Sequence, residues 1–88
     1  MSDEEFKSYK KSVDVNEEIS RLLHYLSEVK ILIKATNAVG KKIDFVAQEM
    51  QRETNTIGSK VQDKIVSNAV ISLKSSIEKL REQAQNIE

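Results

Sequence analysis

Apolar residues recur along this chain at alternating four- and three-residue intervals over three long stretches, the spacing that lines one side of an α-helix. The first row is Val15, Ile19, Leu22, Leu26, Val29 and Ile33. Leu23, Ile31 and Leu32 widen it, and that width predicts a helix packed on more than one side. The second row is Ile43, Val46/Ala47, Met50, Thr54, Ile57 and Val61, and the third is Val66, Val70, Leu73, Ile77, Leu80, Ala84 and Ile87. Thr36-Asn37-Ala38 reads as a turn, and Gly40 marks the start of the second helix. Gly58-Ser59 offers a break near the end of that helix, and Asp63 is placed to cap the third. Asp14 and Glu17 have the spacing of a capping box, with Glu17 and Glu18 in a first turn where the helix dipole favours negative charge. Residues 1–13 form an N-terminal extension or short helix, with Phe6, Tyr9 and Val13 on one side, and residues 14–88 form the main domain. The expected fold is all-α, an antiparallel bundle of three main helices in which the second and third make an α-hairpin.

Composition sharpens this in a few ways. Two Gly, no Pro and 32% charged residues suit helices. Without Cys there is neither a disulfide framework nor a thiolate metal site. No apolar run approaches the roughly 18 residues that span a bilayer, and no signal-peptide pattern opens the chain, so the expectation is a cytoplasmic protein with no membrane partner. Fourteen basic residues balance fourteen acidic ones, which argues against a dedicated nucleic-acid binder carrying a net basic face.

The polar residues of the second helix are the most particular feature. On a helical wheel that starts at Ile43, Phe45, Glu49, Arg52, Glu53, Thr56 and Lys60 fall in one arc beside the apolar row, and Asp44, Gln48, Gln51 and Asn55 fall in an arc on the other flank. Glu49 and Glu53 repel each other at i,i+4 spacing. Arg52, Lys60, a residue from another helix, or a metal ion would offset that repulsion. Carboxylates among carboxamides and hydroxyls are oxygen ligands suited to Mg²⁺ or Mn²⁺, and Arg52 and Lys60 suit a phosphodiester. On periodicity alone the weight lies with a solvated surface carrying a Glu49–Arg52 ion pair. If the first helix packs on that flank, Glu18 and Arg21 lie beside the arc. His24 is a proton-shuttle candidate, but a lone His on an outer arc more often pairs with its i+4 carboxylate, here Glu28. Tyr9 and Tyr25 read as packing residues. The third helix carries Glu78, Arg81 and Glu82 on an outer face of mixed charge, the usual solvated exterior. Phosphate loops, nucleophile elbows and His-x-x-x-His pairs are all missing.

The run Val39-Gly40-Lys41-Lys42-Ile43-Asp44-Phe45, followed by Gln48-Glu49-Met50, Arg52-Glu53 and Asn55-Thr56-Ile57-Gly58-Ser59-Lys60, resembles the C-terminal signature of the bacterial YicC-like (YicC/YloC) family. Asp14-Val15-Asn16-Glu17-Glu18-Ile19-Ser20-Arg21-Leu22 resembles the helix that opens the same domain. The ending Glu78-Lys79-Leu80-Arg81-Glu82-Gln83-Ala84-Gln85-Asn86-Ile87-Glu88 resembles the family's closing residues, which implies a natural C-terminus. The resemblance implies a cytoplasmic endoribonuclease that needs a divalent cation, acts on structured or small RNA as a homo-oligomer, and carries an N-terminal domain absent from these residues. The positions it carries over are Glu18, Arg21, Asp44, Gln48, Glu49, Arg52, Glu53, Asn55, Thr56 and Lys60. Of these, Glu18, Glu49, Arg52 and Glu53 are the catalytic candidates. Arg21, Arg52, Asn55, Thr56 and Lys60 are the RNA- and phosphate-binding candidates, and Asp44, Glu49 and Glu53 the metal-binding ones. The chain departs from the family in two places. Tyr25 stands where the family usually has a His, with His24 one residue early and ~100° round the helix, and the link between the first two helices is shorter. A purely structural oligomerisation module and a non-catalytic RNA-binding helical domain are the alternatives.

Overall fold

The computed structural model describes residues 2–4, 15–35 and 40–87, the last by its backbone alone. Three long helices carry the fold: α1 (Asn16–Ile33), α2 (Gly40–Lys60) and α3 (Lys64–Ile87). The expected short helix around Phe6, Tyr9 and Val13, the turn at Thr36-Asn37-Ala38 and the side chain of Ile87 lie outside the described residues. Helix α2 is the middle element, with α1 on one flank and α3 on the other. Glu18 of α1 meets Lys60 while Arg21 meets Glu53, and Asp44 meets Arg81 while Gln51 meets Lys74. Along both flanks partner numbers fall as those of α2 rise, so each neighbour runs antiparallel to α2. Among the described residues no helix is long and apolar enough to cross a membrane.

The α2–α3 hairpin is built as its sequence suggests. Asp63 Oδ2 accepts hydrogen bonds from the backbone N–H of Ile65 (3.1 Å) and Val66 (3.2 Å), satisfying two of the donors that a helix start leaves unpaired. Gly58 does not break α2, which continues to Lys60. Gly58 instead allows a close approach, since a Cβ there would sit 3.3 Å from Val70 Cγ1 of α3. The start of α1 differs from the capping-box expectation. Its N-cap is Val15, an apolar side chain that makes no capping hydrogen bond, and Asp14 lies outside the described residues. Glu17 turns instead towards Arg21, one helical turn on, at 3.7 Å.

The core is Val29, Val46, Ala47, Met50 and Ile77, with Leu22, Tyr25, Leu32, Leu73 and Leu80 packed on it. Four of the α2 row positions and Thr54 are fully buried; Ile57 and Val61 are half-buried. The hydroxyl of Thr54 is satisfied within its own helix, donating to Met50 O at 2.8 Å, which lets a polar residue occupy the dry row.

Helix α1 departs most from its pattern. Its width predicted packing on more than one side, yet among the described residues it lies mainly on α2, and Ile19, Leu23, Leu26, Ile31 and Ile33 are exposed. A single flanking helix covers only one stripe of it. Ile19, Leu22, Leu23 and Leu26 face across an apolar cleft to Leu73 of α3, with Met50 at its floor.

Candidate functional site

The two polar arcs of α2 face two different helices. On the α1 flank, Glu53 Oε1 accepts a hydrogen bond from Arg21 Nε at 2.8 Å, and Glu18 Oε1 accepts one from Lys60 Nζ at 2.9 Å. Arg21 NH2 lies 3.7 Å from Glu18 Oε1, so the two interhelical pairs join into one cluster. Glu18 is only 3% exposed and Glu53 is buried beside it, whereas Arg21 and Lys60 are exposed enough to reach solvent. Glu18 Oε2 is buried and has no hydrogen-bond partner among the described residues. A carboxylate oxygen left in that state costs free energy unless something else occupies its lone pairs.

The electrostatics follow from these pairings. The hydrogen bond from Lys60 holds the Glu18 carboxyl below its ordinary range, outweighing the burial that pushes the other way, with Arg21 and Lys60 charges adding to it. The Arg21 guanidinium is raised above its ordinary value, first by its hydrogen bond to Glu53 and then by the charges of Glu53, Glu17 and Glu18. The Glu49/Glu53 repulsion expected from spacing is thus offset from another helix, by Arg21.

The other candidates are distributed around α2. Glu49 is half-buried, and exposed Arg52 approaches it only to 4.0 Å, the loose surface pair that periodicity favoured. Thr56 Oγ1 donates to Arg52 O at 3.0 Å, and Asn55 is exposed. Asp44 lies on the opposite flank. It accepts hydrogen bonds from Arg81 Nε at 2.9 Å and Gln48 Nε2 at 3.1 Å, and Arg81 holds its carboxyl below the usual range ahead of Gln48. Asp44 is therefore turned away from Glu49 and Glu53, and among the described residues no three His, Cys, Asp or Glu gather as a metal cage. Glu49 and Glu53 are the carboxylates that remain on the α1 flank, and Glu53 is already held there by Arg21.

Arg81 is the partner that the sequence reading missed. It sits next to Leu80 of the apolar row and so flanks the contact with α2, rather than belonging to a solvated outer face. Gln51 likewise reaches α3, donating to Lys74 O at 3.2 Å. Neither aromatic-ring candidate of α1 enters the cluster. Tyr25 packs on the core, and exposed His24 has Nε2 2.7 Å from Glu28 Oε1, the i+4 pairing expected of it.

Comparison with known proteins agrees with the resemblance in the sequence. The family described as "Endoribonuclease YicC-like, C-terminal" matches residues 2–88. A "Probable endoribonuclease YicC" of Clostridioides difficile (strain 630) is 46% identical over 85 residues, covering 97% of this chain and 29% of that protein. A protein of the same description from Haemophilus influenzae is 42% identical over 76 residues, covering 86% of this chain and 26% of its own length. The chain therefore spans less than a third of the curated relatives it matches. No solved structure matches it significantly.

Proposed function

This chain belongs to the YicC-like endoribonuclease family, as its C-terminal domain, and we propose that it contributes to divalent-cation-assisted cleavage of RNA phosphodiesters by a longer cytoplasmic protein. The observation that carries this reading is the α1–α2 cluster of Glu18, Arg21, Glu53 and Lys60, with one buried Glu18 oxygen left without a partner among the described residues. A purely structural ion pair gains little from leaving a buried acceptor unsatisfied, whereas a site that positions water or phosphate has a use for one.

In this reading Arg21 holds Glu53 in a fixed orientation through Nε, and its two outer nitrogens, each only loosely paired at 3.7 Å with Glu17 and Glu18, turn to a phosphate oxygen when RNA is bound. Lys60 and Arg52 neutralise the phosphodiester, and Thr56 lies in the same arc of α2, while Asn55 lies in the other arc with Asp44. Glu49 and Glu53 would hold a hydrated Mg²⁺ or Mn²⁺, which supplies Lewis-acid polarisation of the phosphoryl group and an activated water. Asp44 is left out, since it serves the α2–α3 contact.

The test is cleavage of a stem-loop RNA with Mn²⁺ or Mg²⁺. It uses a chimaera in which this chain replaces the matching 85-residue region of the Clostridioides difficile relative. Glu53→Gln and Glu18→Gln are expected to lower cleavage at least tenfold at unchanged helicity and oligomeric state. Undiminished cleavage by both variants removes the cluster from the chemistry, and retained RNA binding without any cleavage by the chimaera supports a non-catalytic RNA-binding domain instead. A second reading, subunit assembly through another copy of the chain, is favoured by the apolar cleft of Ile19, Leu23, Leu26 and Leu73. Sedimentation over a wide concentration range tests it, and a monomer throughout counts against it.

A further inference from the structure

Phe45 belongs neither to the buried core nor to the ion cluster, yet it stands at a conspicuous place. It is 64% exposed on α2, in the same arc as Glu49, Arg52, Glu53, Thr56 and Lys60. It forms one wall of an open pocket of about 490 Å³ where α1 ends and α2 begins. Ile31, Leu32 and Val46 line it with Phe45, as do Lys41, Lys42 and Glu28; Leu32 and Val46 are the less exposed of the apolar residues, and both lysines are exposed. Glu28 is already engaged by His24, so the acidic member of the rim is turned to a neighbour. Lys30 and Lys34 are exposed in the last turn and at the C-cap of α1, giving this end of an overall neutral chain a local excess of positive charge.

An exposed aromatic ring in an apolar recess with lysines at its edge is the arrangement that receives an unstacked base and its phosphate. We propose that this pocket binds one nucleobase of a single-stranded RNA segment, stacked on the Phe45 ring, with Lys42 on a flanking phosphate. The inference rests on the reading of this domain as one that acts on RNA, and it adds a subsite to it. The pocket and the ion cluster lie along the same α1–α2 boundary, with Glu28 and Glu18 separated by ~15 Å of helix. Arg52 lies two turns from Phe45 on the open face of α2, so a strand seated in the pocket passes over Arg52 towards Glu53 and Lys60. The subsite holds the strand at a distance from the scissile phosphate and takes no part in bond breaking. Stacking of this kind tolerates any base, since each presents a π-face.

The test is fluorescence anisotropy of the 88-residue chain with a 5′-fluorescein-labelled single-stranded hexariboadenylate at low salt. Phe45→Ala and Phe45→Leu are each expected to weaken binding about tenfold, with Phe45→Trp close to the original and circular dichroism unchanged in all three. Lys42→Ala is expected to reduce the slope of log K against log salt by about 0.7. Binding by Phe45→Ala equal to the original overturns the proposal, as does full affinity in Phe45→Leu, which keeps the apolar bulk without the ring. Failure of the unsubstituted chain to bind the oligonucleotide also overturns it. A change in sedimentation without a change in RNA affinity overturns it in favour of a protein occupant. Loss of binding in Phe45→Ala with undiminished cleavage by Glu53→Gln in the chimaera keeps the pocket and removes the ion-cluster site, and the opposite pair of results does the reverse.

Discussion

Met50 is the residue on which both flanking helices depend, and replacing it tests the three-helix arrangement directly. It is 5% exposed, belongs to the core with Val29, Val46, Ala47 and Ile77, and floors the cleft between Leu22 of α1 and Leu73 of α3. Met50→Ala removes Cγ, Sδ and Cε. At ~0.8 kcal/mol per buried group the transfer loss is about 2.4 kcal/mol, from which the better helix propensity of Ala returns a few tenths. The vacated space opens on the cleft, so water fills it and the cavity penalty stays at the lower end of the range for such truncations. The net cost is about 2 kcal/mol. For a chain of this length, with an unfolding entropy of roughly 0.2 kcal/mol/K, that lowers Tm by about 10 °C. Leu23→Ala is the control, because Leu23 is 60% exposed on the same cleft and costs less than about 0.5 kcal/mol if nothing covers it. Urea unfolding followed at 222 nm, repeated over a range of protein concentrations, measures both. Equal stability of Met50→Ala and the original chain would refute the packing argument. A Leu23→Ala cost as large as that of Met50→Ala, growing with concentration, would refute the assignment of α1 to a single covered face and point to a second copy on the cleft.

Two further predictions follow from the polar contacts. Asp63→Ala unpairs the N–H groups of Ile65 and Val66 and should cost about 1 kcal/mol in the same urea assay; a neutral result would mean that water caps α3 equally well. Glu18 and Asp44 have carboxyls held below their ordinary values of 4.5 and 3.8, so the stability they contribute is present above those values and is lost as pH falls through the lower folded-state ones. The urea midpoint should therefore drop as pH falls below about 4.5, and less steeply in Glu18→Gln/Asp44→Asn; identical slopes would show that these carboxyls titrate alike in the folded and unfolded chain.

The three long helices, their order and the α2–α3 turn were legible because each rests on local signals: period, Asp63 before the third row, and a strong seam in α2. The flanks of α2 were legible for the same reason, since a helical wheel assigns Asp44 and Glu53 to opposite sides whatever lies there. What each flank meets is a tertiary fact. Arg81 read as solvated because it follows Glu78 at salt-bridge spacing, and only the antiparallel register of α3 brings its Nε to Asp44. Gly58 read as a break because Gly often ends helices, but what it provides is room for Val70. The apolar width of α1 read as packing on more than one side, whereas among the described residues it has one main neighbour, α2; a row that wide has more surface than one neighbour covers, and sequence alone does not say where a second would come from.

The same contrast separates the two ionic contacts of α2. Asp44 and Arg81 are both partly exposed, Asp44 is also served by Gln48, and its contact is complete without any further group. The α1 cluster is not complete. It buries two carboxylates, pairs each with a cation from the opposite helix, and leaves Glu18 Oε2 without a donor among the described residues. Packing does not require this, because apolar residues of similar volume in place of the Glu18–Lys60 pair would hold α1 on α2 at least as well. An apolar replacement such as Glu18→Met with Lys60→Met should therefore fold as stably as the original. If it does so while the chimaera loses cleavage, the charges on this flank are kept for the reaction and not for the fold.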